Sequence, residues 1–266
     1  LITLVGGSLA AYVLLGWNWR PAVLFGSLVV VTGPTVIGPL IAQLRLRTRP
    51  ATVLEAEGVL IDPVGAILAV LVLEIVLAPG ASTLATGVID FVLRIGFGAF
   101  AGVAAGFLIA SVFQARRLIP EGHENVLVLA GVLFLYEICE KNMPLSGLLA
   151  VTIAGVVVGN RETRIDRNLR EFKEEITLLL IGLLFVMLAA DVRIDQVREL
   201  GWPGLAVVGV LVFVVRPLGV CLSAVGSDLS WRERAFVSWV APRGIVAAAI
   251  ASVVAGTMEA EGLVGG

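Results

Sequence analysis

Long apolar runs recur from one end of this chain to the other, and they constrain its fold more than any other feature. Most extend over roughly 17 to 25 residues, the length that carries an α-helix across a hydrocarbon core of about 30 Å. The breakers and charges between them delimit nine expected spans, at 1–16, 20–43, 52–78, 85–114, 124–140, 144–160, 172–190, 202–225 and 233–257. The runs are continuous rather than alternating, which argues against a transmembrane β-barrel. Composition points the same way: 58% of the 266 residues are hydrophobic and only 15% are charged, where a soluble domain carries about 25% charged residues. The expected fold class is an all-α polytopic membrane protein. The chain opens inside one apolar run and stops just after another, so residues 1–266 are expected to form a single transmembrane domain truncated at both ends.

Several functions are disfavoured at this level. A net charge of −2 without a basic arm argues against nucleic acid as a partner, leaving the lipid bilayer. Cys139 and Cys221 lie in apolar runs and read as buried free thiols, with neither a disulfide framework nor zinc-type spacing. A single histidine, His123, leaves little histidine chemistry, and no serine-hydrolase elbow or metalloprotease motif occurs, so no enzyme activity and no cofactor are expected.

Basic residues orient the spans. Twelve of them (Arg45, Arg47, Arg49, Arg116, Arg117, Arg161, Arg164, Arg167, Arg170, Lys173, Arg232, Arg234) fall on one side of the nine-span topology. Four (Arg20, Lys141, Arg193, Arg198) fall on the other. The first side is therefore cytoplasmic by the positive-inside rule. Three more, Arg94, Arg216 and Arg243, lie within spans. Arg216 precedes Pro217 in the eighth span, and the sequence assigns it no role.

Ionisable groups deep in a membrane are costly and need a partner or a task. Asp62 lies roughly 15 Å along the third span, the middle of a core about 30 Å thick. Pro63 follows it and is expected to loosen the helix there. Gly58, Gly65, Ala66 and Ala69 share the face of Asp62 at helical spacing, which leaves room for an ion and water. Two other spans carry helix breakers at the same depth. Thr32-Gly33-Pro34 opens a stretch with two prolines and two glycines that continues to Pro39, and the ninth span contains Pro242-Arg243-Gly244. In the topology above these two spans run in opposite directions. Broken helices of opposite sense are the sequence pointer to a midplane transport site. Among the weaker acids, Glu137 and Glu140 near the outer end of the fifth span read either as a cation-attracting entrance or as interfacial partners of Lys141.

These motifs resemble those of the monovalent cation:proton antiporters, in the sodium/proton exchanger branch, along essentially the whole chain. Glu57-Gly58-Val-Leu-Ile61-Asp62-Pro63 is similar to that family's E-S-x-x-N-D signature, and Thr32-Gly33-Pro34 to its T-D-P. Trp239-Val-Ala-Pro242-Arg243-Gly244 is similar to its W-x-x-x-R-G, and 145–155 to its S-G-x-x-A-x-x-x-A-G helix. The resemblance implies an inverted-repeat fold with two broken, crossing helices, and about three further helices before this chain and one after it. It also implies a homodimer and a prokaryotic cytoplasmic-membrane location. Under it, Asp62 binds a cation or a proton, with Thr32, Gly33 and Gly58 beside it, Pro34, Pro242 and Gly244 shape the breaks, and Glu57 pairs with Arg243. Three departures stand out. Gly33 replaces an aspartate, Gly58 a serine and Ile61 an asparagine, so each removes a side-chain oxygen or amide near the site. The implied activity is exchange of Na+ for H+, with K+ or Li+ as alternative cations and a passive cation channel as the more distant one.

Overall fold

The computed structural model describes residues 1–33, 48–78, 80–114, 124–161, 167–191, 198–227, 229–240 and 244–260. All regular structure among these residues is helical. The helices are α1 (Ile2–Leu14), α2 (Trp19–Val30), α3 (Thr48–Leu77), α4 (Ala81–Gln114), α5 (Glu124–Asn142), α6 (Ser146–Gly159) and α7 (Arg167–Asp191). They are followed by α8 (Gly201–Val210), a π-helical turn (Leu211–Val215), α9 (Arg216–Ser223), α10 (Trp231–Trp239) and α11 (Ile245–Ala260). Each expected span therefore contains helix. By length and apolarity, Arg49–Leu77, Ala85–Phe113 and Gly201–Ser223 suffice to cross a membrane, and four shorter apolar helices accompany them among the described residues. The chain forms two compact units, one of Leu1–Leu84 with Leu188–Gly266 and one of Ala85–Met187.

The first unit is built around α3, whose Leu54, Ile67 and Ala69 are fully buried. Leu24, Val72, Leu73, Val76 and Val254 join α2, α3 and α11 in one cluster, and Leu54, Val220 and Val237 join α3, α9 and α10 in another. A third, of Ala10, Val207, Leu211 and Val215, packs α1 on α8 and the π-turn. Helices α1 and α2 cross at two glycines. A Cβ on Gly7 would lie 3.1 Å from Cα of Gly26, and one on Gly26 would overlap the backbone of α1 at Leu4 and Ser8. Helix α10 has a defined start because Ser230 and Glu233 form a capping box, the Glu233 carboxylate accepting from the Ser230 amide at 2.8 Å.

One local expectation changes. Helix α3 runs unbroken through Pro63. Pro63 is fully buried, so packing around its ring offsets the missing hydrogen bond, and the turn stays helical. The eighth span stays helical as well but widens into a π-turn before Pro217. A proline ring at 217 collides with the carbonyl four residues back in an α-helix. Here the N–H of Arg216 bonds the carbonyl of Leu211, five residues back, and this wider turn moves the obstructing carbonyl aside.

In the second unit, Gly98, Gly102 and Gly106 form a stripe on α4 that faces α6. A Cβ at each would meet the carbonyl of Ser146 at 2.9 Å, Ala150 at 2.5 Å and Ala154 at 3.0 Å in turn. Both series advance by four, so the two helices run parallel with their backbones in contact, as small residues permit in lipid. Gly102→Val should force them apart and reduce the folded fraction severalfold, read as the monodisperse peak of detergent-extracted protein. Glu140 has a structural task in this unit: its carboxylate accepts from the amide of Leu145 at 2.8 Å and holds the α5–α6 turn, where Leu145 has φ 68°. Exposed apolar side chains such as Phe134, Leu178, Val186 and Met187 suit contact with lipid tails.

Candidate functional site

Helix α2 stops at Val30 because Val31 turns to an extended conformation (φ −64°, ψ 121°), and Thr32 and Gly33 continue without helix. Helix α10 stops in the same way at Trp239, with Val240 extended (φ −79°, ψ 99°), and helix resumes at Ile245 after Gly244. The helix of the second span ends where the sequence expects a break, and the ninth span is interrupted between α10 and α11. Pro34, Pro242 and Arg243 lie outside the described residues.

The two breaks meet at their glycines. A Cβ on Gly33 would overlap Cα of Gly244, and one on Gly244 would come within 2.5 Å of Cα of Gly33. The same point at Gly244 lies 3.3 Å from Oδ1 of Asp62. The crossing of the unwound segments therefore sits against the carboxylate. On the side of α3, a Cβ on Gly65 would be 2.9 Å from the side chain of Val31, so a small residue there admits the first break. Gly58, one turn before Asp62, is buried. Asp62 and Thr32 are 9% and 5% exposed, and among the described residues neither Asp62 Oδ1 nor Thr32 Oγ1 has a hydrogen-bond partner. Two orphaned buried oxygens beside one crossing are unusual, since most buried polar atoms are paired. The Asp62 oxygen can take a proton or a cation, and the Thr32 hydroxyl oxygen can ligate a cation. Among the described residues no group of three or more His, Cys, Asp or Glu side chains converges.

A second polar feature lies beside this crossing. Arg216 forms a bidentate ion pair with Glu57, its Nη1 on Oε1 and its Nη2 on Oε2 at 2.8 Å. Nη2 also reaches the carbonyls of Val240 at 3.2 Å and Val237 at 3.4 Å. Those are carbonyls at the open end of α10, where a cation is favoured by both hydrogen bonding and the helix dipole. Arg216 thus ties the helix carrying Asp62 to the edge of the second break. The partner expected for Glu57, Arg243, is outside the described residues; the described partner is Arg216. Sequence reasoning missed it although a signal existed. Counted from the helix ends on the same side, Arg216 lies roughly 11 Å from the end of α9 and Glu57 roughly 14 Å from the start of α3, and an arginine inside an apolar span needs an acid at similar depth.

A cavity of about 580 Å³ runs along this side of α3, with Thr32, Glu57, Leu60, Ile61, Arg216 and Ser223 in its wall. Thr32 borders both this cavity and the crossing. Asp62 does not line it.

The family profile described as "Sodium/hydrogen exchanger, transmembrane" matches residues 1–263. The chain belongs to the sodium/hydrogen exchanger family. Among solved structures of similar fold is the sodium proton antiporter MjNhaP1 from Methanocaldococcus jannaschii at pH 8, with a TM-score of 0.77 and 26% identity over 98% of this chain and 66% of that one. Curated relatives include Na(+)/H(+) antiporter 1 of Methanocaldococcus jannaschii, 29% identical over 87% of this chain and 55% of the relative. Another is the K(+)/H(+) antiporter NhaP2 of Shewanella sp. strain ANA-3, 29% identical over 92% of this chain and 43% of the relative. The chain thus spans about half the length of the curated relatives it matches. Membership of this exchanger family agrees with the all-helical fold, and with the multi-pass membrane architecture that the apolar runs indicate.

Proposed function

We propose that the protein of which this chain is part exchanges a monovalent cation for H+ across the prokaryotic cytoplasmic membrane. The observation that carries the reading is Asp62, a buried carboxylate whose Oδ1 has no partner among the described residues, where the end of α2 meets the interruption between α10 and α11. A carboxylate oxygen holds either a proton or a cation, and each excludes the other. Competition for one group becomes exchange when only the loaded site changes sides, here by movement of the broken-helix bundle. Thr32 supplies a further oxygen, and Gly33 and Gly58 leave room beside it. Glu57 takes no part in binding because Arg216 occupies both of its oxygens.

One free site acid carries one proton one way for each cation carried the other way, so the cycle moves no net charge. Sodium is the first candidate cation. Potassium is the second, because Gly33, Gly58 and Ile61 strip the site of side-chain ligands and because potassium antiporters stand among the similar proteins. The test uses the full-length protein in proteoliposomes. The apparent KM for the cation should rise about tenfold for each unit by which pH falls through the competing range, with maximal flux unchanged, and no membrane potential should develop. A pH-independent KM, or a potential that grows with flux, would contradict competition at a single carboxylate.

A further inference from the structure

The π-turn at Leu211–Val215 and the residue after it grip the end of α10 together. The ring of Phe213 stands edge-on to Trp239, the last residue of α10, with centroids 6.0 Å apart. Arg216 donates to the carbonyls of Val237 and Val240 and to both oxygens of Glu57. Val240 borders the interruption whose far side, Gly244, stands against Asp62. The turn is anchored from behind. Leu211 and Val215 are buried with Ala10 and Val207, and Val215 fills the place that a side chain on Gly6 of α1 would take. A π-turn is rare within an α-helix and needs a reason to persist. Pro217 supplies one, because its ring excludes the carbonyl of Phe213, four residues back, from its α-helical position. Without that ring the turn can tighten to α-helix. With Leu211 held on α1, tightening swings everything after the turn by about 100° and takes Arg216 off its partners.

We propose that Pro217 is a positioning residue for cation exchange: it maintains the π-turn, and the turn aims Arg216 at Glu57 and at the open end of α10. The near edge of the interruption beside Asp62 is thereby fixed through Arg216. The inference rests on Asp62 being the ion-binding carboxylate. With Arg216 swung away, Val237 and Val240 lose their donor and the end of α10 is free to shift. The interruption then meets Asp62 in its present arrangement less often, and cation affinity falls.

The experiment is a register test on the full-length protein in proteoliposomes, read as the KM of proton flux for sodium or potassium, whichever the wild type transports. Pro217→Ala alone should raise KM at least threefold. The second variant combines Pro217→Ala with deletion of Val214, an exposed residue inside the turn. It lacks both the extra residue and the ring, so a regular α-helix joins the same two ends and leaves Arg216 in its present orientation. Its KM should return to within about twofold of wild type. A proline needed only for stability gains nothing from a deletion beside it. A wild-type KM in Pro217→Ala, or a deletion that does not restore a raised one, would overturn the proposal. Should either variant fail to fold, the folded fraction and melting temperature of detergent-purified protein carry the test. Pro217→Ala should lower them in the wild-type background and leave them unchanged where Glu57→Ala and Arg216→Ala are already present, since nothing remains to be aimed. A loss equal in both backgrounds, or absent from the first, overturns the proposal. Either failure beside an inactive Asp62→Asn rejects the role of Pro217 alone, whereas an active Asp62→Asn rejects the reading beneath it.

Discussion

Arg216→Ala is expected to cost about 3–5 kcal/mol of stability, because it leaves the Glu57 carboxylate in an apolar surround without its counter-charge. The side chains of the pair are only 13% and 19% exposed, so water does little to replace the guanidinium. The same change strips the carbonyls of Val237 and Val240 of their donor at the end of α10. Removing Glu57 as well should return most of the loss, since a buried ion pair replaced on both sides by apolar groups is often close to neutral. Arg216→Lys should fall between, because an ammonium cannot hold both carboxylate oxygens and the two carbonyls in one plane. The measurement is the melting temperature of detergent-purified protein. A single variant as stable as wild type, or a double variant worse than the single, would contradict the bridge. Residual activity in the double variant would separate a structural clamp from a transport residue.

The distinction between what was legible and what was not follows from the physics of each feature. The breaks near Thr32-Gly33 and Gly244 could be read because proline and glycine act locally and mark a break wherever they cluster in an apolar run. Asp62 could be read because a charge at that depth is costly in any fold. The partner of Glu57 could not be read by counting turns. The π-turn at Leu211–Val215 adds a residue to one turn and so rotates Arg216 by about 100° relative to a regular helix. Pro63 was misjudged for the converse reason, since its effect on α3 depends on burial of its ring, a tertiary fact. Glu140, one of two acids at an outer helix end, holds a turn instead of standing free, and only the left-handed Leu145 next to it explains why. Direct contact between Gly33 and Gly244 was equally invisible, because it joins residues more than two hundred positions apart.

Asp62→Asn is expected to abolish exchange while leaving the fold intact. The amide matches the carboxylate in size and shape, so the approach of Gly244 to it need not change. It loses two abilities together. An amide does not ionise in the physiological range, so it carries no proton across, and its uncharged oxygen cannot neutralise a desolvated cation. Thr32→Ala removes only a neutral ligand and should weaken cation affinity without abolishing flux. The folded fraction of Asp62→Asn, judged by its monodisperse peak, should equal that of wild type.

The most direct measurement is therefore cation-driven proton flux in proteoliposomes containing full-length wild-type or Asp62→Asn protein at matched folded amounts, with sodium and potassium supplied in turn. Wild type should exchange at least one of the two cations, and Asp62→Asn should show no flux above empty vesicles with either. Flux in Asp62→Asn that equals wild type would contradict the assignment of Asp62 as the group that carries cation and proton.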